Sequence, residues 1–127
     1  ILIKNAAAAD QTLDYLRSVR EPMTLAMAVN DRIADGTDIS WLDDADFGKL
    51  ARMKELGRVL VAGDRAETAA RRLAREKIPC EIFEDYDTLI DSLTDEDAFV
   101  FILPTYSAML EMRKKLVRRL GGKKFWE

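Results

Sequence analysis

Five short apolar runs, each followed by a stretch with helical spacing, restrict this chain more than any other feature. The runs cover residues 1–4, 24–29, 58–63, 80–84 and 98–103. Between them, Leu13, Leu16 and Val19 fit one helix face, and Phe47, Leu50, Met53 and Leu56 fit a second. Asp64 and Glu67 form a D-x-x-E capping-box pattern ahead of Ala66, Ala69, Ala70 and Leu73, which marks a third helix. Residues 87–93 suggest a fourth. Met109, Met112, Leu116 and Leu120 give a fifth that stops at Gly121-Gly122, since paired glycines end helices. The runs are continuous rather than alternating, so these strands are expected to be buried on both faces of a parallel sheet covered by helices. At 127 residues the length fits a single α/β domain over 1–127.

In an open parallel sheet all strand-to-helix loops leave from the same edge, and ligands bind there. The longest of these loops reads NDRIADGTDISW, from Asn30 to Trp41. Long polar loops in compact domains tend to be functional. This one gathers Asp31, Asp35 and Asp38 around Gly36 in a chain with no histidine. An EF-hand counted from Asp31 fails, because Ile33 and Leu42 occupy its third and twelfth positions. Without histidine and with Cys80 alone, a structural zinc site is excluded. Magnesium held by one or two carboxylates stays open. So does turn chemistry, in which Asp35-Gly36 forms a turn and Asp38 or Ser40 caps a local helix. Trp41 either joins the core or braces the loop.

Other chemistries find less support. Ser40 and Ser107 have no imidazole base in the chain, and Cys80 follows Pro79 on an expected buried strand. No P-loop or G-x-G-x-x-G is present, although Arg65 and the turn before it could meet an anion at a helix N-terminus. Residues 113–119, RKKLVRR, read as a solvated helix face near a C-terminus. The net charge of −3 gives no basis for nucleic-acid binding. The longest apolar run is too short to span a bilayer. A single cysteine suggests a reducing cytoplasm. The start at ILIKN, without methionine, suggests a domain taken from a longer chain.

Read in order, ILIKN, LAMAVNDRIADGTDISWLDDADF, VAGDRAETAARRLA and LPTYSAMLEMRKKL resemble the C-terminal domain of the MurT family. Those proteins are the Mur-ligase-like subunits of bacterial lipid II isoglutaminyl synthase. The resemblance implies a Rossmann-like, doubly wound domain with a mostly parallel sheet of about five strands. It also implies a three-domain ligase whose central domain, outside this chain, holds ATP and Mg2+; no cofactor is expected for this domain alone. The enzyme would activate the D-glutamate α-carboxylate of the lipid II stem peptide for attack by ammonia, giving D-isoglutamine, at the inner face of the plasma membrane. The ammonia would come from a GatD-like glutaminase that contributes only cysteine and histidine to its triad. The aspartate of D-x-S-W, Asp38, is then the third member, supplied in trans. Asn5, Asn30, Asp31, Asp35, Gly36, Ser40, Trp41, Arg65, Thr105 and Tyr106 become candidate substrate or partner contacts. The chain departs from the family at Ala6-Ala7-Ala8, where a proline and a glycine-containing run are usual, and at Asp43, where an aromatic is usual. Two other readings keep the fold: a non-catalytic interaction module and a receiver-type signalling domain. The latter needs acids after its first strand and a lysine after its fifth, where this chain has Lys4-Asn5 and Pro104-Thr105.

Overall fold

A computed structural model describes residues 2–94 and 98–119. Its sheet is parallel and, among these residues, has four strands in the order β3-β2-β1-β4: β1 Met23–Ala28, β2 Leu56–Ala62, β3 Glu81–Ile82 and β4 Phe99–Pro104. The chain winds from β1 outward through β2 to β3, then returns to place β4 on the other side of β1. That is the doubly wound pattern.

Helices cover both faces. On one side lie α1 (Ala6–Ser18), the short α2 (Trp41–Asp44) and α3 (Gly48–Ala51), and α4 (Ala66–Ala74); on the other lie α5 (Tyr86–Thr94) and α6 (Tyr106–Arg119). β1 is buried along its whole length. Its Leu25 and Met27 join Leu13, Leu16, Phe47, Leu50 and Leu73 in the larger core. Its Ala26 and Ala28 point the other way, toward Leu89, Ile90 and Met112. Bulky residues thus back the larger core, and small ones let α5 and α6 pack close to the sheet.

Three expectations are corrected. The first apolar run is not a strand: residues 2–4 are irregular, and the Ile3 N–H donates to the Pro104 carbonyl at 3.0 Å. Asn5 caps α1 directly after this segment, and the alanines behind it are the strongest helix formers, so the chain turns into helix there. The expected helix from Phe47 to Leu56 is only the single turn Gly48–Ala51, because Leu56 opens β2. Gly57, a poor helix former, already lies within β2. The run at 80–84 yields a two-residue strand, exposed at the sheet edge. Leu120 and the Gly121-Gly122 stop lie outside the described residues. Among those described, no helix is long and apolar enough to cross a membrane.

Candidate functional site at the carboxyl edge of the sheet

Register brings the site together. Ala28 stands opposite Ala62 on β2 and Pro104 on β4, so the loops after all three strands leave side by side. Asn30, fully buried, ties them to one another. Its backbone N–H donates to Thr105 Oγ1 (3.0 Å), and its Oδ1 accepts the Asp64 N–H (2.7 Å). Its Nδ2 donates to Ser107 Oγ (2.9 Å) and Tyr86 Oη (3.3 Å). Thr105 is buried as well and donates its N–H to the Ala28 carbonyl at 2.9 Å. Gly63 makes the close approach possible. Its φ is +98°, and a Cβ there would lie 2.6 Å from the Val29 carbonyl oxygen and 2.9 Å from Asn30 Oδ1, which no side chain tolerates.

The first half of the aspartate loop closes over this hub. Asp35 accepts both the N–H and the hydroxyl of Ser107, each at 2.6 Å, and also the Arg32 N–H at 3.1 Å. Gly36 follows at φ +76°, a left-handed conformation suited to glycine. Asp31 pairs with Arg65 Nε at 2.8 Å. Arg32 bridges Asp64 (2.9 Å) and Glu111, and these partners raise its pKa further. Asp64 is therefore spent on Arg32, and the expected capping box does not form: Arg65 is the N-cap of α4 and makes no side-chain cap.

The second half is built differently. Asp38 accepts the Ser40 N–H at 2.8 Å, and this bond holds its carboxyl below the usual aspartate range. It is exposed, and among the described residues its only partner is Ser40, within the same turn. Directly after it, Trp41 and Leu42 are buried in the larger core. Arg72 of α4, also buried, secures the segment. Its Nε donates to the Leu42 carbonyl (2.7 Å) and its Nη2 to the Ala45 carbonyl (2.8 Å). Its Nη1 meets Glu76 at 3.1 Å, and its guanidinium lies 5.1 Å from the Phe47 ring centroid. The turn carrying Asp38 is exposed, but it stands on a fixed base.

Helix N-termini in this fold class bind anions through free N–H groups, and here side chains and backbone carbonyls take up part of those groups. Asn5 Oδ1 accepts the Ala8 N–H at 2.7 Å at the start of α1, and Asp85 Oδ1 accepts the Thr88 N–H at 2.8 Å at the start of α5. Asp35 fills the start of α6, and the turn before α4 gives its N–H groups to Asn30 Oδ1 and the Val29 carbonyl. Among the described residues no three histidine, cysteine, aspartate or glutamate side chains gather where they could hold a metal ion.

The structure thus separates the candidates. Asn30, Asp31, Asp35, Gly36, Arg65 and Thr105 form one interlocked edge, and Asn5 is a helix cap. Asp38 and Ser40 are presented to solvent above the buried Trp41, and Tyr106 is exposed at the start of α6. Sequence reasoning missed Arg72, Ser107 in its role as Asp35's partner, and Tyr86. Cys80 is half-buried, and burial pushes its thiol up to about 11, which leaves little thiolate near neutrality. Part of the basic stretch of α6 is paired with α5: Lys115 meets Asp87 at 2.8 Å and Arg119 meets Asp91 at 2.5 Å.

Comparison with known proteins matches the same stretch of chain. The family model for the MurT ligase C-terminal domain matches residues 2–109. The MurT subunit of the glutamine-hydrolyzing lipid II isoglutaminyl synthase of Streptococcus pneumoniae (strain ATCC BAA-255 / R6) is 33% identical over 123 residues, covering 94% of this chain. Its counterpart in Staphylococcus aureus (strain COL) is 30% identical over 123 residues, covering 95%. The chain spans only 27% and 28% of those relatives' own lengths. Among solved structures, UDP-N-acetylmuramate-alanine ligase MurC from Thermotoga maritima superposes with a TM-score of 0.56 at 12% identity, over 96% of this chain and 26% of that one. At that identity the likeness speaks to the fold. With its family model matched over most of its length and its fold shared with a Mur ligase, the chain belongs to the MurT ligase C-terminal family.

Proposed function

We propose that this chain is the C-terminal domain of an ATP-dependent ligase subunit that amidates the D-glutamate α-carboxylate of the lipid II stem peptide to D-isoglutamine. In this reading its own chemical contribution is Asp38, which completes the cysteine–histidine pair of a GatD-like glutaminase docked on it. The observation that carries the proposal is the contrast inside one loop. Asp31 and Asp35 are bound to Arg65, Arg32 and Ser107, while Asp38 is exposed with its only described partner in its own turn.

The chemistry asked of Asp38 is modest and fits its state. A carboxylate held below the usual range stays ionised at neutral pH. It would accept a hydrogen bond from the partner histidine's Nδ1–H and fix the tautomer whose Nε2 takes the cysteine proton. It would also stabilise the imidazolium that results. The buried Trp41 and Arg72 would limit the freedom of the turn, so that little ordering remains to be done on docking. ATP and Mg2+ belong, in this proposal, to a central domain outside this chain, because these residues contain no P-loop. No step on the ATP side is assigned to these residues. The work would take place in the cytoplasm at the inner face of the plasma membrane, where lipid II presents its stem peptide.

The test is Asp38→Asn in the reconstituted full-length complex. Loss of the triad carboxylate costs up to about four orders of magnitude in related triads, and a cysteine nucleophile should soften that loss. Glutamine-driven amidation is expected to fall by about two to four orders of magnitude, while amidation driven by added ammonium persists. If both fall together, Asp38 serves the ligase cleft. If neither falls, it is a turn residue and the proposal fails.

A further inference from the structure

Beside the Asp38 turn runs a shallow groove of about 290 Å³. Ile39, Ser40 and Asp43 form one side, and Thr68, Arg71 and Arg75 of α4 form the other. The arginines along α4 and at its start are not equivalent. Arg65 is paired with Asp31, Arg72 with Glu76 and two carbonyls, and Arg75 with Asp43 at 2.7 Å. Arg71 is exposed, and among the described residues its side chain has no hydrogen-bond or ion-pair partner. It borders three depressions at once: this groove, a second toward Gly63 and Phe83, and a third toward Pro79 and Cys80. A guanidinium is a rigid fork suited to a carboxylate, and this one lies open on the wall of a groove that also contains Ser40.

We infer that this groove is the docking surface for an acidic segment of the glutaminase partner, with a partner carboxylate held by Arg71. The inference rests on the proposed role of Asp38 and adds what that role lacks, a means of orienting the partner. Ser40 lines the groove and donates its N–H to Asp38, so a segment lying there runs beside the Asp38 turn. Thr68 and Ser40 add hydroxyls to the lining. The exposed charge near the rim acts chiefly on encounter rate and register.

The test measures binding of the GatD-like glutaminase from the same cell to the full-length parent protein by surface plasmon resonance, at low and high salt. Arg71→Ala is expected to weaken Kd about tenfold, and Arg71→Glu about a hundredfold at low salt, mainly through slower association. The difference should shrink at high salt. Lys114→Glu, the same charge change on the exposed face of α6, serves as the control and should bind as wild type does. Equal binding by Arg71→Glu and wild type overturns the inference while leaving the role of Asp38 standing. Failure of the wild type to bind any glutaminase overturns both. Displacement of the glutaminase by inorganic pyrophosphate, with Arg71→Ala abolishing that effect, assigns the groove to a phosphate-bearing ligand and also overturns the inference.

Discussion

The two halves of the segment from Asn30 to Ala45 leave the same strand and carry acids at similar density, yet they are used in opposite ways. In the first half, Asp31 and Asp35 are consumed by Arg65, Arg32 and Ser107, and Asn30 fills the crevice between β1 and β4. That crevice is where a doubly wound sheet usually takes its ligand. In the second half, Asp38 has no described partner outside its turn, and the anchoring is delegated to Trp41 and Arg72. A carboxylate's role in such a loop therefore follows from what the neighbouring elements offer it, not from the loop's composition.

The largest effect expected on this contrast comes from Trp41→Ala. The ring is 8% exposed, and removing a buried Trp costs about 3–5 kcal/mol. Chemical denaturation should show that loss, and glutaminase binding should weaken as the Asp38 turn loses its footing. A variant of normal stability and normal binding would show that the second half needs no anchor.

Next comes a paired measurement within the loop. Asp35→Ala removes two short hydrogen bonds to a charged acceptor, and bonds of that type are worth about 1.5–3 kcal/mol. Asp38→Ala removes only a local, exposed bond and should leave the thermal midpoint close to wild type. Glutamine-driven turnover should rank the two variants the other way round, with Asp38→Ala the more damaged. If both variants melt alike, the two halves are not distinct.

The smallest effect is a titration. The Ser40 N–H is the main cause of the lowered Asp38 pKa, and Ser40 sits at φ −62°, which proline adopts without strain. Ser40→Pro should move the Asp38 midpoint up toward the ordinary aspartate value, read by NMR at its carboxyl carbon. A depressed folded pKa favours the folded state above the unfolded pKa, and that contribution fades as pH falls through the folded value. For so exposed a group, stability should scarcely register the change. An unmoved midpoint would mean that something other than Ser40 holds the charge.

Local patterns were legible in the sequence where spacing alone decides the outcome. Leu13 and Leu16, or Ala69 and Leu73, declare their helices because burial repeats with the turn. The parallel sheet followed from continuous apolar runs, whereas the role proposed for Asp38 comes from the family likeness of D-x-S-W. Patterns failed where a distant group competed for the same atoms. Asp64 has the right spacing from Glu67 for a cap, but Arg32 takes its carboxylate from 32 residues away. The bond from Asn30 to Ser107 spans 77 residues, that from Ser107 to Asp35 spans 72, and that from Arg72 to Leu42 spans 30. No periodicity encodes such pairs. The buried arginine was hidden for a further reason: in sequence it is one of several cations on a helix, and only packing shows which one turns inward.

The placement of β4 beside β1 also bears on the order in which the molecule assembles. Pairing β1 with β2 closes the chain between Ala28 and Leu56, whereas pairing β1 with β4 must close it between Ala28 and Phe99. The longer closure costs about 0.8 kcal/mol more entropy, and β4 leaves the ribosome long after β2. β4 should therefore join a sheet that already exists, so that mutations in its contacts slow folding little and speed unfolding more. Thr105 and Ser107 arrive with β4, so Asn30 and Asp35 wait for their partners until that last step. Until then, a nascent chain would carry the Asp35 half of the loop unfastened, while the Asp38 turn can already stand on Trp41 and Arg72.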